Sequence, residues 1–144
     1  MYEQMETIRK INYSSCEIDA LYHQASLKLG ISDSVSIVLY MVYGAEGSCP
    51  LREIYKKSGV SKQTVNSAIR KLEADEILYL TQRSGREKRV VLTDKGNAFA
   101  KETVGKLYEA EMRLFLTWPE EELKSYLRLT EKHIQGLREQ IERM

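Results

Sequence analysis

Ser58-Gly59-Val60-Ser61-Lys62-Gln63-Thr64-Val65-Asn66-Ser67-Ala68-Ile69-Arg70-Lys71-Leu72 is the stretch on which the reading of this 144-residue chain turns. Gly59 suits the left-handed position that follows a helix, since it has no Cβ to clash. Val60 is expected to plug a tight inter-helix turn, and Ser61 to cap the next helix by accepting a backbone N–H. Val65, Ala68, Ile69 and Leu72 recur at helical spacing and form an inward stripe. The outward stripe is Gln63, Asn66, Ser67 and Arg70, flanked by Lys62 and Thr64. These residue types hydrogen-bond base edges and phosphates. An ordinary solvated helix face mixes Glu with Lys for intrahelical pairing. Here no acidic residue occurs from Ser61 to Leu72; Glu73, Asp75 and Glu76 come only at the far end. A helix pair with a glycine turn and a polar, basic second helix describes a helix-turn-helix.

Downstream, Ile77-Leu78-Tyr79-Leu80-Thr81 can extend as a strand and Lys88-Arg89-Val90-Val91-Leu92 can return beside it. Between them lies a polar tip, Gln82-Arg83-Ser84-Gly85-Arg86-Glu87, with a glycine for the turn. The hairpin reads as a wing carrying Arg83, Arg86, Lys88 and Arg89. With these residues in place the chain resembles the MarR family of bacterial transcription regulators. The resemblance rests on Val60-Ser61-Lys62-Gln63-Thr64-Val65, Lys71-Leu72-Glu73, Gly85-Arg86-Glu87-Lys88-Arg89 and Leu92-Thr93-Asp94-Lys95-Gly96. Ser84 departs from the family pattern, which has an acidic residue there to orient the wing arginine. The fold implied is mainly α with a small β-wing (α+β). Its winged helix-turn-helix core, 46–96, sits within one domain of 1–144, between helical dimerisation regions at 1–30 and 97–144.

Charge agrees with that division. Residues 50–96 hold eleven basic and six acidic side chains, a net of +5. The flanks then carry −4, because the whole chain is at +1. Such asymmetry is an electrostatic footprint for nucleic acid. The expected DNA contacts are Ser61, Lys62, Gln63, Thr64, Asn66, Ser67 and Arg70 from the helix and Arg83, Arg86 and Lys88 from the wing.

Before the core, a helix is expected from Tyr2 to Leu29, with Ile11, Ile18, Leu21, Tyr22, Ala25 and Leu29 on one side and Gly30 ending it. A second helix begins near Ser32-Asp33 and runs apolar nearly all round to Tyr43, which predicts burial. Gly44-Ala45-Glu46-Gly47-Ser48 breaks it, and Pro50 opens the helix-turn-helix. After the wing, Thr93 can cap one helix running to about Phe115. Pro119 and three glutamates start the last helix, with Leu123, Tyr126, Leu127, Ile134, Leu137 and Ile141 as a narrow stripe. Narrow stripes on the first and last helices are easier to bury against a second copy of the chain. The family resemblance also implies a homodimer, with two reading helices on a pseudo-palindromic double-stranded operator, and a repressor released by a small molecule or an oxidant.

Other chemistry is thin. His23 and His133 lie on separate helices without partners at metal-site spacing, and no cofactor motif or nucleophile–base pair stands out, so neither metal, cofactor nor enzyme is expected. Cys16 and Cys49 are too far apart in sequence to suggest a disulfide framework. Cys16, beside Glu17 and near Asp19, is expected to be a small packing residue and not a peroxide sensor. Tyr13, Tyr22, Tyr40 and Tyr43 could line a ligand pocket of the kind the family uses. With no apolar run able to span a bilayer and a polar N-terminus, a cytoplasmic protein without membrane contact is expected. The competing reading is a winged-helix module that grips protein without operator binding.

Overall fold

The computed structural model describes residues 1–82, 85 and 87–144. It comprises two compact units, Met1–Leu107 and Tyr108–Met144. The first unit opens with α1 (Tyr2–Leu29), closed by Gly30 in the left-handed region at φ 71°. Next comes α2 (Asp33–Gly44), whose Ser32 hydroxyl caps the helix by accepting from the Val35 N–H. The sequence periodicity of α2 is nearly all apolar, and accordingly Val35, Val38, Leu39 and Val42 are buried. Around them gather Ile54, Val65, Ala68, Ile69, Leu72, Ile77, Leu78, Val90 and Leu92 in one core.

Three further elements form the helix-turn-helix and its approach: β1 (Ser48–Pro50), α3 (Leu51–Lys57) and α4 (Lys62–Ala74). Gly59 takes φ +74° in the turn, as its lack of a side chain allows. Val60 is half-buried against the core, a looser plug than its sequence position suggests. The wing strands are β2 (Leu78–Thr81) and β3 (Arg89–Leu92), paired antiparallel with Leu80 opposite Val90. They do not stand alone as a hairpin. Strand β1 adds to the other edge of β3, Cys49 opposite Val90, so the sheet order is β1-β3-β2. The segment expected to be only a break before Pro50 therefore contributes a strand, stabilised by long-range pairing that local patterning does not report.

One long helix after the wing is corrected to two, α5 (Asp94–Glu102) and α6 (Val104–Phe115). The break falls at Thr103, with φ −114° and ψ −96°. Its hydroxyl donates back to the Phe99 carbonyl at 2.8 Å, a bond that bends helices. Gly105 follows, buried, with no room to spare beside the Tyr43 hydroxyl. The start of α5 is tied down by Thr93. Its hydroxyl accepts from the Gly96 N–H at 2.9 Å and donates to the Glu76 carbonyl at 2.6 Å.

In the second unit, α7 (Glu120–Glu142) is 23 residues long and has no buried residue. Trp118 stands edge-on to Phe115 and to Tyr126, with ring centroids 5.2 and 5.5 Å apart. Within the first unit α1 buries only Ser26. Ile8, Ile11, Ile18 and Leu21 on α1, and Leu127, Ile134, Leu137 and Ile141 on α7, are all exposed. Among the described residues no single helix is long and apolar enough to cross a membrane.

Candidate nucleic-acid interface

Helix α4 is anchored at its start by the Ser61 hydroxyl, which accepts from the Thr64 N–H at 3.1 Å and shares a 2.8 Å bond with the Thr64 hydroxyl. Val65, Ala68, Ile69 and Leu72 are buried as the inward stripe, which fixes the rotation of the helix. The opposite side therefore faces outward by geometry alone. Ser61, Lys62, Gln63, Ser67 and Arg70 are exposed; Thr64 and Asn66 are half-buried. Arg70 Nη2 donates to the Ser67 hydroxyl at 3.3 Å, one turn back. The first turn of α4 contains no acidic residue, leaving its orphan N–H groups and the positive end of its dipole without a competing carboxylate.

Two of these side chains meet a residue that sequence periodicity did not single out. Tyr55, on α3 and half-buried against the core, donates its hydroxyl proton to Asn66 Oδ1. The same ring lies 4.8 Å from Lys62 Nζ, centroid to nitrogen. Sequence distance hides the contact, because it pairs helices through the turn at Gly59.

The wing adds a further contact that the sequence did not show. Arg89 belongs in sequence to the basic hairpin, yet its guanidinium turns to β1: Nε donates to the Ser48 hydroxyl at 3.0 Å and Nη2 to the Ser48 carbonyl at 3.3 Å. Arg89 fastens the sheet edge. Glu87 pairs with Arg52 of α3 at 2.9 Å and lies 3.9 Å from Arg89, fixing the foot of the wing to the first helix of the motif. Lys88 is exposed beside it. The expected contacts Arg83 and Arg86, with Ser84, lie outside the described residues.

The remaining expectations distribute unevenly. Tyr13 and Tyr22 are exposed on α1, whereas Tyr40 and Tyr43 are half-buried against the core. Cys16 is exposed, so it is not a packing residue within the chain; a solvent-facing site on α1 gives it nothing to pack on. Cys49, in strand β1, is buried. Burial, and next the charge of Glu53, push its thiol pKa up, with Arg89 and Lys57 opposing. His23, without a metal-site partner in sequence, bonds Asp33 Oδ2 through Nδ1 at 2.7 Å, joining the end of α1 to the start of α2.

Comparison with known proteins follows the same lines. A family model described as "MarR family" matches residues 29–89. None of the curated proteins matches the chain. Among solved structures, a MarR family regulator from Neisseria meningitidis is similar at a TM-score of 0.83 and 18% identity, over 94% of this chain and 96% of that one. BpsR of Bordetella bronchiseptica, whose DNA binding is regulated by 6-hydroxynicotinic acid, matches at 0.61 and 19%, over 87% and 91%. MepR, a transcription regulator of the Staphylococcus aureus multidrug efflux pump MepA, matches at 0.56 and 23%, over 88% and 97%. At these identities the likeness is one of fold.

Proposed function

We propose that this chain is a dimeric, sequence-specific DNA-binding repressor of the MarR kind, released from its operator by a small molecule; a MarR family model matches residues 29–89, and the fold is that of a MarR family regulator. The observation that carries this reading is the outward face of α4: exposed Lys62, Gln63, Ser67 and Arg70, with no acidic side chain from Ser61 to Leu72. Lys62, Thr64, Arg70, Lys88, Arg83 and Arg86 supply phosphate contacts, while Gln63, Asn66 and Ser67 bias sequence. Two such helices about a twofold axis require an inverted repeat with half-site centres about 10 base pairs apart. Selection from a random duplex pool tests it. An inverted repeat of that spacing is the expected product, and recovery of no preferred sequence contradicts the reading.

Within this account Arg70→Ala should weaken operator binding by about 1–3 kcal/mol, the range of a groove contact, and leave dimerisation unchanged. Fluorescence anisotropy on the selected duplex checks it. Equal affinity in the folded variant would remove Arg70 from the reading surface.

A small molecule is preferred to an oxidant as the signal because neither cysteine fits a sensor. Cys49 is buried with its thiol pKa pushed up by burial, and Cys16 stands beside Glu17 with Asp19 near in sequence. Operator-bound protein titrated with organic peroxide should stay bound at stoichiometric oxidant, and Cys16→Ser should behave identically. Release that disappears in Cys16→Ser would make Cys16 the sensor. BpsR sets the precedent of a small carboxylic acid as regulator. Tyr13, Tyr22, Tyr40 and Tyr43 are the side chains we assign to the inducer site in this chain.

A further inference from the structure

We propose that Tyr55 is a positioning residue of the DNA-reading face, seating Lys62 with its ring and orienting Asn66 with its hydroxyl. The inference rests on the function proposed above and adds to it a residue outside the reading helix. Lys62 and Asn66 are one turn apart on α4, and Tyr55 reaches both from α3. The tyrosine ring is itself held, being half-buried against the core that Ile54 and Val65 share. It is therefore a fixed platform under two side chains that would otherwise be mobile.

The two contacts do different things. Lysine has a long flexible stem, and ordering it on a phosphate costs rotamer entropy. A cation seated on an aromatic face has part of that ordering done before DNA arrives. For Asn66 the consequence is chemical. A free asparagine can turn its amide end for end, presenting either a carbonyl acceptor or an NH2 donor to a base. With Oδ1 accepting from the Tyr55 hydroxyl, the amide is fixed in one orientation and its NH2 end is the one left to offer. A donor suits acceptor atoms on the major-groove edge: N7 and O6 of guanine, N7 of adenine or O4 of thymine. It does not suit the N4 amino group of cytosine, itself a donor. The hydroxyl of Tyr55 thus sets the sign of the hydrogen bond Asn66 makes, disfavouring cytosine at one position of each half-site.

The test uses the full-length dimer, the selected operator, and duplexes carrying each base in turn at every half-site position, at several salt concentrations. Tyr55→Phe keeps the ring and removes only the hydroxyl. It should reduce discrimination at a single half-site position about tenfold, with the salt slope and the thermal unfolding midpoint unchanged. Asn66→Ala should lose discrimination at that same position, and Tyr55→Phe added to Asn66→Ala should change nothing further. Tyr55→Leu, which also removes the seat of Lys62, should weaken binding to all sequences as well. Full discrimination in Tyr55→Phe overturns the proposal. So does a uniform loss over all duplexes with a lowered unfolding midpoint, the signature of a packing residue. Should Tyr55→Phe fail to fold, Asn66→Ala decides alone: loss of discrimination against cytosine at one half-site position supports the assignment, and discrimination kept everywhere overturns it. A wild-type protein with no duplex preference overturns the function itself along with this inference, whereas the variant outcomes overturn only the role of Tyr55.

Discussion

Gly96→Ala is expected to destabilise the protein strongly, although it adds a single methyl group. A Cβ built at Gly96 would stand 1.7 Å from the Ile77 carbonyl oxygen and 2.8 Å from its carbon, and both belong to backbone that cannot rotate aside. The same carbonyl accepts from the Thr93 N–H at 3.0 Å, and Gly96 donates to the Thr93 hydroxyl, so relief of the clash breaks the junction between β2 and α5. Ordinary overpacking costs about 1–3 kcal/mol through side chains that can shift; with backbone on both sides the cost should exceed about 3 kcal/mol. For a chain of this size that lowers the unfolding midpoint by roughly 10 °C. Gly105→Ala is the internal comparison. Its Cβ would meet the Tyr43 hydroxyl at 3.1 Å and the Ala100 carbonyl at 3.2 Å, gaps that a few tenths of an ångström would relieve. Calorimetry should rank Gly96→Ala well below Gly105→Ala in stability; equal midpoints would show that the α5 start is not clamped on Ile77.

The second large effect concerns assembly. Helix α7 buries none of its 23 residues within the chain, and a helix without a packed face is marginal in water. Ile134, Leu137 and Ile141 recur at three and four residues, the spacing of a helix seam, and are exposed together. The proposed dimer would cover them. Ile134→Asp with Leu137→Asp should convert dimer to monomer in sedimentation and reduce operator affinity by on the order of 100-fold, since the second half-site is no longer bound intramolecularly. A variant that remains dimeric and binds as wild type would place the dimer contact elsewhere.

How much of this was legible in the sequence divides along physical lines. Features set by neighbours in the chain could be read directly: the Ser61 cap, the left-handed Gly59, the end of α1 at Gly30 and the inward stripe of α4. So could the apolar α2, because burial on all sides leaves no polar face. What escaped depends on residues far apart. Strand β1 is three residues long, too short for periodicity, and exists because β3 pairs with it some forty residues later. Thr103 reads as an ordinary helical position until Gly105 is seen against Tyr43. At the candidate site the helix face was legible as a list of donors and acceptors, but the list could not say which were already engaged. Arg89 is bonded to Ser48, and Asn66 to Tyr55, by contacts made only once the sheet and the helix pair have closed. The MarR-like Thr93-Asp94-Lys95-Gly96 segment was legible as a pattern; its reason, a glycine seated on a backbone carbonyl, is a matter of packing.

The acid-free face of α4 and the basic wing are proposed to bind DNA through its phosphates. The most direct test is the salt dependence of affinity for the selected operator, measured from low to moderate potassium chloride. Each phosphate neutralised releases counterion, so the slope of log K against log salt falls by about 0.9 per contact. With Lys62, Arg70, Lys88, Arg83 and Arg86 engaged on both protomers, the slope should be about −9. A slope near zero, with affinity unmoved by salt, would contradict the account and leave the same face gripping a protein instead.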